Sequence, residues 1–114
     1  MEDTQLMKGI LEGCVLSVIA RGETYGYEIL SVLEQEGFTD LGEGTLYPVL
    51  TRLDKHQYIT CRKAKSPLGP IRKYYTITPS GLERLESFKQ QFCSVVQSAN
   101  QVLFEAEREE EHLC

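Results

Sequence analysis

The sequence predicts a mainly helical α+β domain: three short helices, a two-stranded hairpin and one long C-terminal helix. Three observations carry that expectation. Apolar residues recur at helical spacing up to about residue 56, they alternate across residues 58–77, and from Leu85 onward they step by three and four.

Leu6, Met7, Ile10, Leu11, Cys14, Val15, Val18 and Ile19 recur in pairs four apart, which suits an amphipathic helix over residues 5–20. Gly9, Gly13 and Ser17 form a second line along it. Small residues let another helix approach closely; the alternative is that they are merely tolerated. A turn at Arg21-Gly22-Glu23 precedes a second helix that Thr24 can cap and Gly37 can stop, with Ile29, Leu30 and Leu33 inward. Leu46, Val49, Leu50 and Leu53 define the third helix. Pro48 suits its first turn, where a missing N–H does no harm, and Thr45 is then the expected cap.

After His56 the period changes. Tyr58 to Lys63 reads as a strand with Ile59 and Cys61 inward, Ser66 to Pro70 as a loop, and Ile71 to Ile77 as a second strand. Thr78-Pro79 then starts the last helix, cap followed by first-turn proline. Leu85, Phe88, Phe92, Val95, Ala99, Val102 and Ala106 repeat as the a and d positions of a heptad. So long a seam exceeds what a 114-residue chain can fold back on its own core, so a homodimer is expected. A core helix of the same subunit accounts only for the first turns. The division that follows is residues 1–78 as a unit of three helices and a hairpin and 79–114 as a dimerisation helix with an acidic tail, packed as one body.

The formal net charge of −5 is unpromising for a partner of phosphates, but its distribution is not. Residues 43–82 hold seven cations and two acids, while the segments on either side are acidic. One basic face on an acidic body is oriented toward a polyanion; a solvated basic face is the plain alternative. Helix, helix, helix, strand, strand, long helix, with charge on the third helix and hairpin, is the arrangement of a winged helix-turn-helix. In it the third helix enters the major groove and the hairpin wing meets backbone phosphate. Arg52 and Lys55 lie on that helix; Arg62, Lys63, Lys65, Arg72 and Lys73 lie on the wing.

Other classes find less support. Two histidines and no nucleophile–base set argue against an enzyme, and neither a phosphate loop nor a metal-ligand spacing is present, so no cofactor or metal is expected. No apolar run approaches the roughly 18 residues of a membrane span. Glu2 and Asp3 precede the first cation, Lys8, unlike a signal peptide, so a cytoplasmic protein is expected. Cys14, Cys61, Cys93 and Cys114 are scattered; three read as small buried hydrophobes and Cys114 as an exposed tail thiol. A thiol-based redox-sensing repressor, with Cys14 or Cys114 reactive, is the rival reading. A winged-helix protein-interaction module without DNA binding is another.

The chain resembles the PadR-like transcription regulators, in their smaller branch with a single C-terminal helix. The match is carried by Tyr25-Gly26-Tyr27-Glu28-Ile29, Gly44-Thr45-Leu46-Tyr47-Pro48, Arg52-Leu53, Gly69-Pro70, Arg72-Lys73-Tyr74-Tyr75, Thr78 and Gly81, in order across residues 6–82. The resemblance implies a homodimeric repressor on a double-stranded DNA operator, dimerised through its first and last helices, with Ile10 on the first. It also implies regulation by a small, often aromatic, effector in some members. Thr45 and Tyr47 would then open the recognition helix, Tyr25 would reach a phosphate, and Arg72 and Lys73 would serve the wing. Tyr47 can equally be a core aromatic, and Tyr74 and Tyr75 read more simply as sheet packing.

Overall fold

A computed structural model describes residues 4–105. Its elements are α1 (Thr4–Ala20), β1 (Thr24–Tyr25), α2 (Gly26–Gln35), α3 (Glu43–Lys55), β2 (Ile59–Lys65), β3 (Ile71–Ile77) and α4 (Pro79–Leu103). Helix α1 is central. Leu11, Val15, Leu16, Val18 and Ile19 are buried along it, facing Ile29 and Leu33 of α2, Leu46, Leu50 and Leu53 of α3, Ile59 and Tyr75 of the sheet, and Leu85 of α4. Truncating one such leucine to alanine costs about 2–5 kcal/mol, so these few side chains dominate the stability of so small a domain.

The sheet has three strands in the order β1-β3-β2, all antiparallel, rather than the two expected. Thr24 and Tyr25, both good β-formers, pair with Tyr75 and Tyr74 and so tie the start of α2 to the wing. This displaces the expected cap. Tyr25, with extended backbone, is the N-cap of α2 and makes no side-chain cap, while the Thr24 hydroxyl donates to Glu28 Oε1 at 2.5 Å. The far end follows expectation. Gly37 takes φ 112°, its N–H bonds Glu34 O at 3.1 Å, and Phe38 N–H bonds Leu33 O at 3.0 Å, closing a Schellman motif.

Helix α3 begins earlier than expected, with Gly42 rather than Thr45 as its N-cap. Pro48 therefore sits in the second turn. The bond it cannot make is to the carbonyl of Gly44, an exposed residue whose oxygen water can serve. The same helix ends in a second Schellman motif that carries no glycine: Gln57 has φ 62°, Gln57 N–H bonds Asp54 O and Tyr58 N–H bonds Leu53 O, both at 3.0 Å. A side chain in the left-handed region costs about 1–2 kcal/mol. Gln57→Gly should therefore raise stability by about 1 kcal/mol, read as an upward shift of the urea midpoint with an unchanged slope.

Thr78 caps α4 as expected, accepting from Gly81 N–H at 3.0 Å with Pro79 in the first turn, and it also donates to Gln57 O at 2.8 Å. Phe88 lies on Gly13 of α1, where a methyl group would overlap its ring. The small-residue line thus serves close packing at Gly13, whereas Gly9 faces open space. Beyond Phe88 the helix leaves its own core. Relative exposure along the seam rises from 5% at Leu85 to 37% at Phe92, 67% at Val95 and 81% at Val102. Ala99 is exposed as well, and Ala106 lies outside the described residues. The radius of gyration, 16.0 Å, exceeds the roughly 13 Å of a compact domain of this length, because α4 projects.

Tyr75 anchors β3 in the core, and burial chiefly pushes its hydroxyl up to about 12. The unfolded chain loses that proton near its ordinary value of 10 while the folded chain keeps it. Stability should be whole below about pH 10 and fall as pH rises toward 12, read as loss of the helix signal in an alkaline titration.

Candidate nucleic-acid interface

The register of the hairpin places Lys63 directly opposite Lys73 and Lys65 opposite Ile71. These residues alternate in phase with Cys61, Ile59 and Tyr75, so they lie on the helix-facing side of the sheet, beyond the reach of the core. Like charges directly opposite each other destabilise a sheet unless a counter-charge arrives. Among the described residues no carboxylate forms an ion pair with Lys63, Lys65 or Lys73; the pairs engage Arg52, Arg62, Arg84 and Lys89.

The opposite face of the sheet is occupied by a stack of side chains. Arg62 donates from Nε and Nη2 to the two carboxylate oxygens of Glu23 at 2.7 and 2.8 Å. Its guanidinium lies 4.8 Å from the Tyr74 ring centre, Tyr74 meets Tyr25 edge to face at 5.8 Å, and the Arg72 guanidinium covers Tyr25 at 4.0 Å. The bidentate bond holds the Glu23 carboxyl below the usual carboxylate range and raises Arg62. Tyr74 therefore packs on the sheet, as one reading expected, and Tyr25 serves as a platform for Arg72.

Between wing and helices runs a groove of about 380 Å³, lined among others by Tyr25, Tyr27, Tyr47, Ile71, Arg72 and Lys73. Tyr47 is 42% exposed and is not a core residue. Its hydroxyl lies 3.0 Å from where a Cβ would stand on Gly26, so the absence of a side chain there seats the tyrosine at the groove floor. Thr45 and Tyr47, two apart on α3, point to different sides. Thr45 is exposed on the side facing α1, whereas Tyr47 faces the wing. Arg52 is turned to α1 as well, 3.6 Å from Glu12, whose other oxygen meets Arg84 of α4 at 3.3 Å. The structure thus brings Tyr25, Tyr47, Arg72 and Lys73 to one groove with Lys63 and Lys65 on the adjoining wing, and leaves Arg52 on another surface.

The paired strand β1, the Glu23–Arg62 bond and the contact of Gly26 with Tyr47 were not foreseen. Thr24-Tyr25 directly after a turn was a signal for the first. Partners 39 residues apart leave no local pattern for the second.

Cys14 and Cys61 are free and half-buried, and burial raises the Cys14 thiol, which disfavours the reactive thiolate. Cys93, half-buried on α4, is disulfide-bonded and is not the small core hydrophobe expected. Cys114 lies outside the described residues. Among the described residues no group of three or more His, Cys, Asp or Glu could hold a metal, and no helix is long and apolar enough to cross a membrane.

Comparison with known proteins agrees with this arrangement. A PadR-like transcriptional regulator from Bacillus cereus is 47% identical, with a TM-score of 0.77 over 88% of this chain and 97% of that one. A Streptococcus transcriptional regulator is 43% identical, with a TM-score of 0.77 over 88% and 98%. The negative transcriptional regulator PadR of Bacillus subtilis is 30% identical over 69% of this chain, which spans 44% of that protein's length. Residues 15–87 match the Transcriptional regulator PadR-like family, and the chain belongs to that family of transcriptional regulators.

Proposed function

We propose that the chain is a homodimeric, cytoplasmic repressor that binds a palindromic DNA operator and is released by a small effector. The carrying observation is the Lys63–Lys73 pair beside the Tyr47 groove: two like charges on facing strands, without an ion pair among the described residues, with Lys73 lining the cleft that Tyr47 of α3 enters. A phosphate between them relieves their repulsion, and Lys65 extends the same face, while Arg72, on the opposite face of the sheet, borders the groove over Tyr25. Tyr25 holds Arg72 in place, and Tyr47 reads base edges from α3, whereas Thr45, turned to the α1 side, does not reach the wing groove. Arg52, held by Glu12, is left out of the contact set.

Dimerisation rests on residues 79–114, with Ile10, Phe92, Val95, Ala99 and Val102 along the interface, whereas Leu85 and Phe88 pack within their own subunit. Support comes from the exposed apolar half of α4, joined by Leu6 of α1 at 66% exposure. Repression is favoured by the likeness to the negative regulator of Bacillus subtilis. A gel shift with genomic fragments surrounding the chain's own gene tests the reading. Retarded fragments that share an inverted repeat are the expected result; no fragment preferred over random DNA would sink it.

A further inference from the structure

The tip of the wing is apolar. The loop between β2 and β3, Ser66-Pro67-Leu68-Gly69-Pro70, continued by Ile71, carries no charged or amide side chain, although Lys65 precedes it and Arg72 and Lys73 follow. Leu68 at the apex is 99% exposed and Ile71 70%, with Pro67 and Pro70 exposed beside them. We propose that this tip enters the minor groove of the DNA held by the wing lysines, where Leu68 acts as a wedge that parts one base step and bends the duplex. Such a role rests on the DNA-binding reading above and adds to it a contact that senses how easily a sequence deforms.

A lone exposed leucine is ordinary on a protein surface, so exposure does not by itself make a wedge. The stiffness of the turn does. Ser66 is buried, its hydroxyl and its N–H both donate to Pro70 O, at 2.9 and 3.2 Å, and Gly69 N–H bonds Ser66 O at 3.4 Å. Pro67 fixes φ at the second position of that turn and Gly69 takes the fourth, the places these residues favour. Leu68 is thus held out on a closed loop with little backbone freedom left to lose on binding. Tyr75 is the buried residue of β3 nearest the tip, and Ile71 lies about 13 Å beyond it along the strand, so the apex stands clear of the domain.

Charge decides the occupant. Ile71 is in register with Lys65, and Lys63 with Lys73 behind them, none of these lysines in an ion pair among the described residues. A basic shaft behind an apolar point matches a stack of bases between two ridges of phosphate. The minor groove, about 6 Å wide, is too narrow for two strands about 4.8 Å apart with their side chains, but it admits one apex residue. Reading base edges there by hydrogen bonds takes Arg, Lys, Asn or Gln, and residues 66–71 hold none. Apolar insertion is the chemistry left to the tip. A wedge favours steps that unstack cheaply, TA and CA/TG, so each half-site should carry one such step beneath the wing.

The probe is a genomic fragment from around the chain's own gene that the parent protein retards, with 2-aminopurine replacing one adenine at a time. Unstacking brightens 2-aminopurine, and circular-permutation gels read the bend. The parent should bend the fragment and brighten one step in each half-site. Leu68→Ala should bind the fragment about tenfold more weakly, with the bright step and most of the bend gone. Leu68→Met, an apolar body of similar volume, should keep both. Leu68→Lys separates a wedge from a phosphate contact: it should tighten binding to random DNA yet leave the fragment unbent. Leu68 meets only water in the free subunit, so thermal melts of all three variants should match the parent. Unchanged affinity and bend in Leu68→Ala, or a bend that persists in Leu68→Lys, would overturn the wedge. So would a Leu68→Ala protein that sediments at half the parent's mass, which would assign the tip to a second copy. A parent that binds the fragment without bend or bright step overturns the wedge alone; a parent that retards no DNA overturns the DNA reading and the wedge with it.

Discussion

Affinity for DNA should fall by about 10³–10⁵ when salt rises from about 50 to 200 mM, if the dimer neutralises roughly 6–10 phosphates. Each subunit offers Lys63, Lys65, Arg72 and Lys73 on the wing, whereas Arg62 is held by Glu23 and Arg52 by Glu12. Four cations from each of two subunits fall within that range. Lys73→Ala should weaken operator and random DNA alike and reduce the salt slope, because a phosphate contact carries no base information. It should also relieve the repulsion of Lys63 across the strands, so the folded protein should be no less stable. Tyr47→Ala should act differently. Tyr47 stands on the groove floor and not in the core, so its loss should leave the fold intact and narrow the gap between operator and random DNA. Titrations of both DNAs at several salt concentrations check these outcomes. A salt-independent affinity, or unchanged discrimination by the Tyr47 variant, would show that DNA meets another face.

Val95→Asp should convert the dimer into a folded monomer. In the homodimer proposed above, the two seams would bring like carboxylates together and desolvate them, at a cost of several kcal/mol. In the single subunit Val95 is 67% exposed, so the new charge remains in water there and the core of α1, α2, α3 and the sheet is untouched. The expected result is therefore specific: sedimentation reports half the mass while circular dichroism retains its helix signal. A stable dimer of this variant would remove the seam argument. Leu85→Asp is the internal contrast. Leu85 is 5% exposed on its own core, so the same substitution there should unfold the subunit itself.

The sequence by itself determined what depends on neighbours along the chain. The 3.6-residue period of α1 and α3, the alternation through β2 and β3, the Thr78-Pro79 start of α4 and the stop at Gly37 each involve groups within a few residues of one another. The concentration of cations between residues 43 and 82 is equally a property of the chain order. Periodicity misled where a proline was weighed against a cap: Pro48 suggested a start at Thr45, yet the solvated Gly44 carbonyl let the helix begin after Gly42.

Only the tertiary structure decided which polar side chains meet. Arg52 and Tyr47 both sit on α3 at positions a helical wheel leaves polar. The crossing of α3 over α1 sends Arg52 to Glu12, and the wing above α2 receives Tyr47. Thr24-Tyr25 became a strand because β3 offered a free edge, and Glu23 found Arg62 because that pairing brought the turn beside β2. The physical reason is the range of the forces involved. Hydrophobic patterning tells each element which side to bury, and does so locally. The direction a polar side chain takes depends on the angle at which separate elements pack, which no single stretch of sequence contains.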